Sequence, residues 1–184
     1  MPNFRGSYNP EAFEIFSTSS GIDLNLTKLT HLNDSGEIAM VDVGDKPRSE
    51  RLAKARGQVT VTLETLTAIK EGNLKKGDVI AVARVAGIMA AKQTSSLIPL
   101  CHPLETTKID VHIYLNEDPP HVGIEATVKS VGKTGVEMEA LTAVSVAALT
   151  VYDMAKSLQR DMRIEGIEVV EKRGGKSGTY TREQ

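Results

Sequence analysis

The chain carries two hydrophobic rhythms. Val59, Val61 and Leu63 alternate with Thr60 and Thr62, a period of two that predicts a strand. Ile109, Val111, Ile113 and Leu115 repeat the alternation. So do Val122, Ile124, Ala126 and Val128, after the turn residues Asn116–Pro120, and the two segments predict a hairpin. Ile164, Ile167 and Val169 mark a last strand. Helical patterns fill the gaps. Residues 64–71 read as a short helix stopped by Gly72, residues 78–93 as an Ala-rich helix capped by Asp78, and residues 136–160 as a long helix.

Strand, helix, strand, strand, helix, strand is the split β-α-β order of ferredoxin-like folds. The expected class is α+β, a ferredoxin-like sandwich whose antiparallel sheet has helices on one face. The other sheet face, or the long helix, would still need cover, which argues for an oligomer. Residues 45–56 are rich in Lys and Arg and read as an exposed stretch. Residues 1–28 stand apart as an N-terminal arm, with Asn9 and Pro10 as helix cap and first helical position and Phe13 and Phe16 at helical spacing. Residues 29–178 make the folded domain, and residues 179–184 a C-terminal tail.

Composition narrows the function classes. The 22 Lys and Arg nearly balance 24 Asp and Glu, against a nucleic-acid binder with a strong basic footprint. A sheet that stacks RNA bases needs aromatics on its strands, and only Tyr114 lies on one. The single Cys excludes a disulfide framework or a multi-thiolate metal site within the chain, and no metal or cofactor is expected. The N-terminus carries Glu11 and Glu14 and lacks the apolar run of a targeting signal. A cytoplasmic protein without nucleic-acid or membrane partners is expected. All three Phe fall in the first 16 residues, so the rest of the core is aliphatic and Ala-rich.

Polar residues in apolar surroundings are the candidates for chemistry. Between Ala140 and Ala155, Asp153 is the only charge, in a helix that reads as buried nearly all round. Lys156 sits one turn on. The pair reads either as a structural ion pair or as an acid–base group at a cleft. Desolvation would raise the carboxyl pKa and lower that of the amine, and mutual attraction would oppose both. Glu137 and Glu139 suit the dipole at the helix start. Glu139 and Asp153 point only about 40° apart around the helix, so they could also line one groove. Pro99 and Pro103 stiffen a loop presenting Leu100, Cys101 and His102. Lys75 and Lys76 precede the Ala-rich helix, as a solvated turn or an anion contact. Lys172-Arg173-Gly174-Gly175-Lys176 combines cations with free backbone amides, a phosphate nest rather than a P-loop.

These segments together resemble the cyclic pyranopterin monophosphate synthases, the C-protein (MoaC) family of molybdenum-cofactor biosynthesis. The resemblance runs from about Leu29 to Gly178. It rests on Met40-Val41-Asp42-Val43, Lys76-Gly77-Asp78-Val79, Leu97 to Leu104, Thr134 to Thr142, Tyr152-Asp153-Met154 and Gly174-Gly175-Lys176-Ser177-Gly178. It implies a lyase that converts 3′,8-cyclo-7,8-dihydro-GTP to cyclic pyranopterin monophosphate and pyrophosphate. It implies Asp153 as the active-site carboxylate and Lys76 and Lys156 as catalytic lysines. Leu100, Cys101, His102, Met138, Glu139, Glu137, Arg51 and Lys172 would bind substrate. It further implies a homohexamer, a trimer of dimers with sites shared across a dimer interface. Without that resemblance, a nucleotide sensor and a purely structural oligomer remain alternatives to an enzyme.

Overall fold

Alternation is cleanest in the hairpin of β2 (Thr106–Glu117) and β3 (Pro120–Gly132). Val111 stands opposite Ala126 and Ile113 opposite Ile124, all four buried. The computed structural model describes residues 38–176 and 178–183, which apart from Ile38 belong to one compact unit, Ala39–Gln184. The aromatic arm, with its helix start at Asn9 and Pro10, lies outside the described residues, as does Ser177.

β1 (Ser49–Thr60) runs between β3 and β4 (Arg163–Arg173), antiparallel to both. A two-residue β5 (Tyr180–Thr181) pairs with β4, so the sheet order is β2-β3-β1-β4-β5. The glycine-rich segment at 174–178 therefore does not end the fold, because Tyr180 returns to pair with Lys172. The helices are α1 (Leu63–Lys70), α2 (Val79–Lys92), the single turn α3 (Thr94–Leu97) and α4 (Glu137–Ala155). α4 packs on β1, β3 and β4, α2 packs on β2, and the two helices pack on each other. This is the expected ferredoxin-like α+β sandwich. The full burial of Val144 and Val151 on α4 contributes roughly 1.5–3 kcal/mol each.

Boundaries moved where side chains compete with the repeating pattern. β1 begins at Ser49, inside the stretch read as exposed. Its helix-facing residues are Ala53, Ala55, Gly57 and Val59, all buried. Gly57 is packed so closely that a Cβ there would lie 2.8 Å from Val144. The strand stops before Val61 because the Thr62 hydroxyl accepts from the Thr65 N–H and caps α1. Asp78 caps α2 through the Ala81 N–H at 2.9 Å, as expected. α4 ends at Ala155, short of the expected residue 160. The N–H groups of Leu158 and Gln159 both turn back to the Ala155 carbonyl, and the Gln159 side chain accepts from the Thr62 N–H.

The sheet face away from the helices needs no cover. Lys54 pairs with Glu171 at 2.7 Å, and Arg56 and Arg182 both pair with Glu168, at 2.7 and 3.0 Å. Such a face is compatible with water. Exposed apolar side chains also stand in the helical layer: Val82, Val85 and Met89 on α2 and Leu149 on α4 are all exposed. α4 is thus buried on its sheet and α2 sides but open along Leu149, Asp153 and Lys156, one face of its last turns.

Candidate active site

Three separated segments meet at the N-terminal end of α4: the start of β1 with the residues leading into it, the β3–α4 loop with the first turn of α4, and the end of β4 with the glycines after it. Together they enclose a cavity of about 680 Å³. Its lining carries Lys46, Arg51, Lys133, Lys172, Arg173 and Lys176 against one carboxylate, Glu137. Lys172 faces Glu137 at 3.4 Å. The Arg51 side chain donates to the carbonyls of Gly132 and Lys133, both at 3.3 Å. Gly174 and Gly175 take left-handed φ values of +97° and +79°. Gly175's left-handed φ suits glycine, and Arg51 Nη1 stands where a Cβ would go, so glycine lets this loop close over the guanidinium without displacing it. A concave surface with this excess of cations concentrates anions, and phosphates above all.

A second cavity of about 370 Å³ adjoins it, lined by His102, Leu104, Ser130, Lys133 and Thr134 among others. Leu100, Cys101 and His102 are half-buried in the loop between α3 and β2. Burial and the nearby Glu139 charge push the Cys101 thiol up, which argues against a nucleophilic cysteine. Glu139 itself is only 4% exposed. Burial raises its pKa, the Glu137 charge raises it further, and a backbone hydrogen bond opposes both. Met138, beside it in sequence, is partly exposed.

The other end of α4 holds a three-charge cluster on open surface. Asp153 Oδ1 lies 2.7 Å from Lys156 Nζ, and Oδ2 lies 2.7 Å from Lys76 Nζ. Lys76 also donates to the Asp153 carbonyl at 2.8 Å. The turn at Gly77, φ +90°, carries Lys76 to this position just ahead of α2. The Asp153 side chain is 55% exposed, not buried as its apolar neighbours imply, because it lies on the outward face of the last turns of α4. Attraction therefore outweighs desolvation. Hydrogen bonds from Lys156 and then Lys76 hold the Asp153 carboxyl down at about 2, and the same bond raises Lys156. This pairing exists above the ordinary 3.8 and is lost only as pH falls through about 2.

The structure thus brings the expected residues together in two groups. Arg51, Glu137 and Lys172 share one cavity, with His102 at its neighbour. Lys76, Asp153 and Lys156 form the other group. Glu137 and Asp153 are sixteen residues apart on one helix, about 24 Å. The groove imagined along Glu139 and Asp153 is not open within one chain, because Glu139 is buried. Sequence reasoning did not single out Lys46 or Lys133. The signal for Lys133 was its place between two glycines just ahead of α4. Among the described residues, no group of three or more His, Cys, Asp or Glu is placed to hold a metal ion.

Comparison with known proteins gives a family match: the model described as the MoaC family matches residues 40–175. A cyclic pyranopterin monophosphate synthase from Thermomicrobium roseum is 58% identical over 158 residues, 86% of this chain and 95% of that protein. One from a Thermoanaerobacter species is 57% identical over 155 residues, 84% of this chain and 98% of that protein. One from Heliobacterium modesticaldum is 56% identical over 156 residues, 85% of this chain and 98% of that protein.

Proposed function

The chain belongs to the MoaC family, and from that premise we infer that it is a lyase with cyclic pyranopterin monophosphate synthase activity in molybdenum-cofactor biosynthesis. The substrate is 3′,8-cyclo-7,8-dihydro-GTP, and the products are the cyclic pterin monophosphate and pyrophosphate. The observation that carries this reading is the cation-lined cavity of about 680 Å³ at the start of α4, whose charge suits a triphosphate. Among the described residues no aromatic side chain lines it, so they hold the ligand by charge and hydrogen bonds.

Closing the cyclic phosphate requires a sugar hydroxyl to attack the α-phosphate in line as pyrophosphate leaves. Lys172 and His102, with the backbone of Gly174 and Gly175, hold the phosphates and stabilise the charge that develops. The ring rearrangement needs protons placed on and removed from ring nitrogens and sugar carbons. Lys156 and Lys76 supply them. Lys156, raised by Asp153, starts as an ammonium and so enters the cycle as a proton donor. Asp153, held ionised, orients both amines. The buried Glu139 meets the guanine-derived ring edge, with Leu100, Cys101 and Met138 shaping that part of the pocket.

Binding and proton-transfer residues stand about 24 Å apart on one helix, so a complete site takes one group from each of two chains. Two chains packed through their helical layers, where Leu149, Val85 and Met89 are bare, would form that pair. Three such pairs make the hexamer, and the enzyme works in the cytoplasm on a small-molecule substrate. Incubation with the cyclic dihydro-GTP tests the reading. Release of pyrophosphate and a pterin product is expected. Binding without release would mean a sensor instead.

A further inference from the structure

Arg51 was expected to bind substrate, yet two of its three guanidinium nitrogens donate to the main chain. Nε donates to the Gly132 carbonyl and Nη2 to the Lys133 carbonyl. A planar fork bonded to two successive carbonyls fixes a backbone more firmly than a lysine could. The side chain that this backbone presents is Lys133. It borders both cavities, the only cation to do so among their lining residues. Its ammonium donates to the carbonyl of Gly44, in a bend held where the Gly44 N–H donates to Asp42 Oδ1 at 2.7 Å. Among the described residues Lys133 has no carboxylate partner, whereas Lys172 faces Glu137. A neutral carbonyl is a weaker partner for an ammonium than a phosphate oxygen.

We propose that Lys133 is a phosphate-binding residue at the seam of the two cavities, and that Arg51 is a positioning residue acting through it. The assignment rests on the triphosphate reading of the larger cavity. An extended polyphosphate crossing from that cavity toward His102 passes Lys133. Arg51 then serves binding indirectly, by aiming the 132–133 backbone.

The test titrates the full-length protein with inorganic tripolyphosphate and measures turnover of the cyclic dihydro-GTP. Lys133→Met is expected to weaken tripolyphosphate binding and raise KM by about 10- to 100-fold, with little change in kcat. Lys133→Arg, which keeps the charge, recovers most of both. Arg51→Lys weakens binding in wild-type background but adds little to Lys133→Met, as expected of a residue that acts through another. Unchanged tripolyphosphate binding in Lys133→Met, beside a wild type that binds and turns over, overturns the assignment alone. Additive losses in the double variant overturn the positioning role of Arg51. A wild type that does not bind tripolyphosphate overturns the reading of the cavity and this assignment with it.

Discussion

Glu139 and Asp153 stand on the same helix, fourteen residues apart, and their carboxyls move in opposite directions. Glu139 is buried in the first turn of α4 and its pKa is raised by desolvation. Asp153 is exposed in the last turns, and two lysines pull its pKa down to about 2. Their directions around the helix axis are similar, so position on the helical wheel does not separate them. What separates them is what each end of the helix meets. The first turn lies beneath neighbouring segments around a cation-rich cavity, and the last turns emerge on open surface. One helix thus carries a buried carboxyl at one end and an exposed ion cluster at the other.

The largest effect is expected from Lys156→Ala. Losing a positioned proton donor costs about 10²- to 10⁴-fold in turnover, read as pyrophosphate release, while size-exclusion chromatography shows assembly unchanged. Wild-type turnover in that variant would strip the exposed cluster of its catalytic role. Gly175→Val comes next and probes the other end. A left-handed backbone costs a β-branched residue roughly 1–2 kcal/mol before any clash with Arg51 is counted. A lower Tm and weaker tripolyphosphate binding are expected together, and an unchanged affinity would mean the glycine loop does not shape the cavity.

Glu139→Gln sharpens the contrast between the carboxyls. A raised folded pKa means the folded state holds the Glu139 proton more tightly. That stability is fully present below the ordinary 4.5 and falls as pH rises through the folded value. Urea denaturation across this range should show the decline in the wild type and a flatter profile in the variant. A wild type with no decline would contradict the buried assignment. Asp153→Asn is expected to move the melting temperature least, because exposed pairs contribute little, while turnover still falls. A large loss of stability with turnover intact would make the cluster structural.

Legibility followed the contrast in side-chain type. β2 and β3 were readable because Val and Ile alternate with charged residues, and α2 because Asp78 caps an Ala-rich run. The first half of β1 was not, because its inward residues are Ala53, Ala55 and Gly57, too small to stand out among Lys54 and Arg56. Those two cations read as a solvated loop until β4 supplies Glu171 and Glu168 across the sheet. The exposure of Asp153 was hidden for a related reason: twelve apolar residues of sixteen around it predict burial, but an apolar helix can leave one face bare. The cavity was legible in part. Arg51, Glu137 and Lys172 came from motifs, whereas Lys46 and Lys133 join them only when distant segments fold together.

The central claim is that the two ends of α4 complete one site only between two chains. Co-expression of Lys156→Ala and Lys172→Ala chains under different tags, followed by sequential purification through both, isolates mixed assemblies. Each mixed pair then holds one of its two sites with both groups intact, and about half of the pairs in such hexamers are mixed, so pyrophosphate release should return to roughly a quarter of the wild-type rate, although either variant alone is inactive. Mixed assemblies as inactive as their parents would place both groups in the same chain's site and contradict the account.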